Sequence, residues 1–429
     1  MKLPPDHPQR QELNDEVHAR PPEPLIAPTR LSYLALLCDA AQREAGWAAV
    51  CDLCHRYNVE PPANSVLHFT MDLGAFRLKW ERHTEFVRYM FIVEGGTGDP
   101  FDQPAIAAAP EDWVSALPGQ VMVAAHAALI RAEPGALDPR AIGNRWFGGN
   151  VPVGAAISDG AATALTDFRL HDGGFSRFLL LDHATTPWQA GRVAQRLLEI
   201  DTYRIMALLA LPAARAAGPL LASWERELAR ITASMVSAVE ADEPALLDRL
   251  TQLEAQIENQ QSETRYRFGA ADAYYELMQR RIDELREQRI PGLQTFHEFT
   301  ERRLAPAMNT CRSIAIRQES LSQRVARATR LLSTRVDLER EQQNQALLAS
   351  MNSRARLQLR LQSTVEGLSV AAVTYYVSAL VGHAAEALKA VGVHVEPDLA
   401  IGISIPIVAI VAWLGIHHIR KVVTRPAKD

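Results

Sequence analysis

The sequence predicts an α+β amino-terminal domain, followed by long coiled-coil helices and a carboxy-terminal two-helix transmembrane hairpin. Three observations carry that reading. Apolar and polar residues alternate between glycine signals from Leu31 to Leu181, the pattern of half-buried strands. From Thr186 onward the apolar residues recur every three or four positions, the spacing of helical stripes. Near the end, Leu368–Leu388 and Leu399–Ile416 are apolar runs of the length that crosses a bilayer, which takes roughly 20 helical residues.

Residues 1–29 are rich in proline and charge and predict an extended arm lying over the domain that follows. That domain, residues 30–183, opens with an apolar run of strand length, Leu31–Cys38. A helix from Asp39 to Tyr57 follows, ended before Pro61-Pro62. Ser65–Met71 and Phe76–Trp80 alternate, and Phe86–Val93 is a third strand closed by Gly95-Gly96. A short helix near Pro110–Leu117 leads to a strand at Gln120–Ala128. Val151–Leu181 predicts a meander turning at Ser158-Asp159-Gly160, because Asp-Gly tolerates the positive φ of primed turns, and again at His171-Asp172-Gly173-Gly174. Beyond His183 no strand signal returns.

The stalk, residues 184–363, starts at Thr186-Pro187, an N-cap with proline at the first helical position. A second helix is expected after Gly218-Pro219. Leu246, Leu250, Leu253 and Ile257, then Thr264, Phe268, Ala271, Tyr275, Met278, Ile282 and Leu285 after a stutter, form a coiled-coil seam with an insertion. Ile290-Pro291-Gly292 is the expected stop. A further helix from near Pro306 carries Leu321, Val325, Ala328 and Leu332, then Leu347, Leu348, Leu357 and Leu361, and meets no proline before the first membrane run. At 1.5 Å per residue it would make a rod on the order of 120 Å.

The hairpin, residues 364–421, ends in a basic tail, 422–429. Its second span is uncharged and includes Pro406; the first is semi-polar, with Ser369, Thr374, Tyr375, Tyr376, Ser378, His383 and Glu386. Polar side chains in a span face another helix or an aqueous path. Arg354, Arg356 and Arg360 precede the spans and Arg420, Lys421, Arg425 and Lys428 follow them, whereas the connection sets Lys389 against Glu396 and Asp398. By the positive-inside rule both termini are cytoplasmic.

A net charge of -5 and the lack of any Lys/Arg-rich block argue against nucleic acid. Four cysteines, Cys38, Cys51, Cys54 and Cys311, suit a reducing compartment, and the first residues lack the apolar core of a signal peptide. Cys51-Asp52-Leu53-Cys54-His55 matches the haem-attachment pattern, but haem is attached outside the cytoplasm and the motif lies in an amphipathic helix, where Cys packs as a small core residue. No cofactor is expected. Glu81, His83 and Glu85 fall at alternate positions, so an extended strand would put all three on one face, where they could hold a divalent transition metal. The competing reading is a solvated hairpin with Lys79 and Arg82 as partners. Glu16 and His18 are metal-capable but only two, and Arg145-Trp146-Phe147-Gly148-Gly149 reads as a packed turn before a ligand loop. No Walker A, dinucleotide fingerprint, G-x-S-x-G or H-E-x-x-H is present, so catalysis is not expected.

His18-Ala19-Arg20-Pro21, Lys79–Phe86 (KWERHTEF), Arg196–Arg204 (RLLEIDTYR) and Thr364–Ser369 (TVEGLS) together resemble a bacterial family of uncharacterised membrane-anchored proteins, a domain of unknown function, over nearly the whole chain. The resemblance implies a bacterial source and membrane anchoring, hence a multi-pass protein of the inner membrane. The order of parts is also similar to CorA-type magnesium channels, although Gly382-His383-Ala384 stands where those carry Gly-Met-Asn. The preferred expectation is a non-enzymatic membrane-anchored protein that scaffolds or senses at the inner membrane, its partners the lipid bilayer and further copies of itself through the coiled coil and spans. The alternative is an oligomeric ion channel or transporter whose path passes Tyr376, His383 and Glu386, with Glu396 and Asp398 at its outer mouth. A metal-dependent enzyme using Glu81, His83 and Glu85 ranks third.

Overall fold

The computed structural model describes residues 4–17, 21–64, 66–96, 98–133, 135, 137–237, 242–390, 392 and 394–423. Among the described residues nine strands form one sheet: β1 (Thr29–Leu37), β2 (His68–Asp72), β3 (Arg77–Arg82), β4 (Phe86–Glu94), β5 (Gln120–Arg131), β6 (Val153–Ile157), β7 (Ala162–Thr166), β8 (Ser176–Asp182) and β9 (Gln288–Arg289). Their order is β2-β3-β4-β1-β5-β8-β7-β6-β9. Only β5 and β8 run parallel, since the meander β6-β7-β8 returns to the first half of the sheet through β8. Ser158 and Asp159 take the left-handed φ values, 51° and 60°, that the Asp-Gly signal anticipates. β9 corrects the expectation that no strand follows His183: Gln288 and Arg289 pair with Ala156 and Ala155. Two polar residues carry no alternation, so periodicity has nothing to register there.

One face of the sheet takes α2 (Ala40–Arg56) and α3 (Glu111–Ser115). Leu53, Cys54 and Trp113 pack there with Leu34, Leu36, Trp80, Tyr89 and Phe91. Asp39 caps α2 reciprocally with Gln42. The other face takes α5 (Pro187–Leu208), capped in the same way by Thr186 and Gln189. Tyr33 Oη and Thr202 Oγ1 lie 2.8 Å apart, and Ser176 Oγ donates to Asp201 at 3.0 Å.

The segment expected as an extended arm contains α1 (Arg10–Val17), where Arg, Gln, Glu and Leu favour helix over the surrounding prolines. His18, Ala19 and Arg20 lie outside the described residues, as do Arg425 and Lys428 of the basic tail. From Pro21 the chain does cross the sheet domain, with Leu25 N–H donating to Pro187 O at 3.0 Å and Arg77 to Pro24 O at 3.0 Å.

The helical part follows the predicted stripes with shifted ends. α6 (Ala210–Ser237) begins eight residues before Gly218 and holds Pro219 inside, because an alanine-rich start outweighs one missing donor. α7 (Glu243–Leu285) stops short of Ile290-Pro291-Gly292, capped by Arg286 in the left-handed region at φ 52°. The whole predicted α7 seam from Leu246 to Leu285 is buried. α7 runs antiparallel to α5, with Arg196 pairing Glu284 at 2.9 Å. α8 (Phe296–Arg303) precedes α9 (Ala305–Ala390), and α10 (Pro397–Val423) closes the chain. Early α9 lies antiparallel to α7: Gln318 Nε2 donates to Thr264 Oγ1 at 3.2 Å, and Arg312 Nε to Asp272 at 2.6 Å.

The chain divides into two compact units, Met1–Thr329 and Arg330–Asp429. The first holds the sheet, α4 (Pro139–Trp146) with the other helices from α1 to α8, and the start of α9. The second holds the remainder of α9 and α10, whose contact is built on small residues. A Cβ at Gly382 would stand 2.6 Å from Ile401 Cδ1, and Ser378, Ala385 and Ser404 are buried beside it. Small residues let helices approach closely where lipid offers no hydrophobic drive between them.

Among the described residues three helical stretches are long and apolar enough to cross a membrane: Pro187–Ser237, Ala305–Ala390 and Pro397–His418. Apart from Ser404, the apolar stretch of Pro397–His418 is not buried, whereas a third of that in Pro187–Ser237 is.

Candidate functional site

The strand pattern that buries apolar residues on both faces of β3 and β4 also buries four charges. Lys79 and Glu81 of β3 and Arg88 of β4 point away from Trp80 and Tyr89, toward α5, because neighbours along a strand face opposite ways. Glu81 and Arg88 are direct cross-strand partners and form an ion pair, while Lys79 Nζ stands 3.1 Å from Glu81. Glu199 of α5 approaches from above, with Arg88 Nη1 at 3.3 Å and Gln195 Nε2 donating at 2.9 Å. Arg281 of α7 pairs with Glu199 at 2.5 Å and with Glu284 at 2.9 Å. Lys79, Glu81, Arg88 and Glu199 are each less than 5% exposed. Lys79 also donates to Pro21 O.

This is a chain of alternating charge, lysine–glutamate–arginine–glutamate–arginine–glutamate, threaded from the sheet through α5 into α7. Burial alone would raise the Glu81 carboxyl; Arg88, with His83 and Lys79, overcomes it and holds that carboxyl below the usual range. Glu199 is held down in the same way by Arg88 and Arg281 against its burial. Arg88 is pulled by burial toward losing its proton and by Glu81 and Glu199 toward keeping it, and the carboxylates win. Both carboxylates stay ionised. A cavity of about 20 Å³ lined by Tyr33, Lys79, Glu81, Arg88, Met90, Gln195 and Leu198 is large enough for one water.

Of the three residues predicted to share a strand face, His83 Nε2 comes within 3.7 Å of Glu81 Oε2, whereas Glu85 turns away to α7. β3 ends at Arg82, so His83 and Glu85 lie in the turn to β4. Glu81 turns inward to Arg88; His83 stacks on Phe86 with centroids 4.5 Å apart. Glu85 accepts from Arg267 and, at 2.9 Å, from Tyr274 Oη, forming a second clasp on α7. Burial and the Glu85 carboxylate push the Tyr274 hydroxyl up. Among the described residues no three His, Cys, Asp or Glu side chains group as metal ligands.

Cys54 is buried with its sulfur 3.7 Å from Met71 Sδ, and burial pushes its thiol up to about 11; Cys51 is half-buried on the same helix. Both behave as core thiols. Trp146 and Phe147 are buried at the end of α4 (Pro139–Trp146), with Arg145 over the Trp146 ring at 4.5 Å. Glu16 lies in α1. Tyr376, His383 and Glu386 are in α9, Asp398 is in the first turn of α10, and Glu396 immediately precedes that helix. His383 Nδ1 is 3.6 Å from Glu386.

Arg88 and Arg281 escape sequence reasoning. Arg88 interrupts an otherwise apolar strand, the one local signal, and Arg281 joins it only through tertiary folding. Pro21, KWERHTEF and RLLEIDTYR, three of the stretches that carry the family resemblance, meet at this cluster.

No curated protein and no solved structure matches the chain, so the likeness to CorA-type channels has no support from structure. A family model, described as a protein of unknown function (DUF3422), matches residues 5–423. The chain, from its first proline-rich segment to the end of α10, belongs to that family.

Proposed function

We propose that this is a membrane-anchored, non-enzymatic protein of the bacterial inner membrane whose amino-terminal unit scaffolds or senses on the cytoplasmic side. The observation that carries the anchor is α10: Leu399, Ile403, Ile407, Ile410, Trp413 and Leu414 are all more than half exposed, on a helix of membrane-spanning length. Such a surface is too apolar to be left in water. Its partner in the hairpin is the small-residue face of α9 around Gly382. The cluster around Arg88 supports a mechanical role, because its charged groups are engaged with each other across four elements.

A second reading, an ion path, rests on His383 and Glu386, which are exposed within the apolar stretch of α9. Two experiments bear on these readings. Membranes containing the full chain are washed with alkaline carbonate, and inverted and right-side-out vesicles are then treated with protease. The anchor reading expects the protein to stay in the pellet and its amino-terminal unit to be digested only in inverted vesicles. Release by carbonate sinks it. Ion flux into liposomes carrying the purified chain, abolished by His383→Ala/Glu386→Ala, would favour the path.

A further inference from the structure

Between its two ends, α9 runs through a stretch in which every large apolar residue is left uncovered. Leu347, Leu357, Leu361 and Leu368 are 56–74% exposed, all within the second unit. Leu347, Leu361 and Leu368 stand at a seven-residue period with Arg354 in the remaining place, and Ser350, Leu357 and Thr364 fill the alternate seam positions. This is a heptad arrangement with leucine at four of seven seam positions and a single charged interruption, of the kind that fixes register at a cost in stability. The stretch also carries Arg354, Arg356 and Arg360, so it does not belong in the hydrocarbon of the bilayer.

We infer that this stripe, from Leu347 to Leu368, pairs in parallel and in register with the same stripe of a second copy of the chain. The inference rests on the anchor proposed above. Copies held in one membrane by the same hairpin share one orientation and one depth, so residue 347 of one copy lies level with residue 347 of the next. An antiparallel pairing would need one copy inverted. Facing leucines at Leu347, Leu361 and Leu368 gain burial that neither helix finds within its own chain, and the two Arg354 side chains meet as like charges. The pair is therefore held weak at its centre, by a residue that substitution can relieve.

The test is site-directed cross-linking of the full chain in native membranes. Cys51, the half-buried native thiol, is replaced by alanine and the buried Cys38, Cys54 and Cys311 are kept. Single cysteines are placed on the stripe, Leu347→Cys or Leu361→Cys, or on the opposite side of the helix, Asn352→Cys or Ser363→Cys, and oxidised with copper phenanthroline. The expected result is a disulfide-linked dimer from the stripe positions at tenfold or more the yield of the opposite side. Arg354→Leu should raise the stripe yield further. Equal yield on both sides, or none, in protein that resists carbonate extraction would overturn the pairing and leave the anchor standing. Release by carbonate with stripe-specific cross-links intact would overturn the anchor and leave the paired face.

Discussion

Arg88 is flanked by Glu81 across the sheet and Glu199 from the helix above, and removing it would leave Glu81 to Lys79 and Glu199 to Arg281 in a space with room for one water. Burying charge is costly unless each group is paired, so the cluster acts as a fixed joint between β3, β4, α5 and α7. Its sequence signal was partial. The alternation groups Glu81 with His83 and Glu85, because it reads as a continuing strand where the chain turns after Arg82. A turn of three residues has no pattern that distinguishes it from extended chain, and cross-strand partners such as Arg88 become visible only with register. A second buried group makes a quantitative pH prediction. His126 stacks on Phe175 with centroids 4.0 Å apart, shares a 2.9 Å hydrogen bond with Ser32, and is pushed by burial and then by Arg177 down to about 4 from its ordinary 6.5. The folded protein keeps this ring neutral while the unfolded chain protonates it near 6.5, so its contribution is complete above 6.5 and is lost as pH falls toward 4. The full effect is about 3 kcal/mol, at roughly 1.4 kcal/mol per unit. Denaturant midpoints of wild type and His126→Gln should converge as pH drops from 7 to 4, with the variant showing the flatter dependence. Parallel curves would show that His126 titrates normally.

At the scale of elements, strands and long helices were readable because burial imposes a period on the sequence, and ends were not because caps and close approaches are set by single atoms. Leu246 to Leu285 was legible as one buried stripe, whereas the start of α6 was hidden by Pro219. Gly191 shows how much one atom decides. It sits in the first turns of α5 where the segment 21–28 crosses, and a Cβ there would lie 1.7 Å from the carbonyl oxygen of Glu23. That obstacle is backbone, which cannot swing aside like a side-chain end. Gly191→Ala should therefore cost more than about 3 kcal/mol or prevent folding, as overpacking against fixed atoms does. Gly269→Ala, in α7 with nothing within 4 Å, should instead stabilise by roughly 1 kcal/mol through helix propensity. Chemical denaturation of both variants tests the contrast. Equal effects would mean that the crossing segment moves away from α5 without penalty.

At the scale of the molecule, the division at Thr329 separates a unit that contains the entire sheet from one that contains the hairpin. The first unit has its own cores on the face of the sheet away from α5, one around Trp80, Tyr89 and Phe91 and one around Phe147, Leu165 and Leu179. It also carries the complete ion-pair chain from Lys79 to Glu284. Nothing in that list draws on residues beyond Thr329, so the unit meets the usual requirement for autonomous folding, a hydrophobic core of its own. The exposed apolar surface that calls for lipid lies in the second unit, on α10 and the last turns of α9. A fragment of residues 1–340, which keeps about three turns of α9 past the boundary, should therefore be soluble without detergent. It should unfold in one cooperative transition and keep the far-ultraviolet signature of mixed helix and sheet. Gel filtration and circular dichroism decide the matter. Aggregation of the fragment, or a transition without cooperativity, would mean that the sheet unit draws stability from the membrane-proximal part, and a joint built from Arg88 outward would no longer account for how the body holds together.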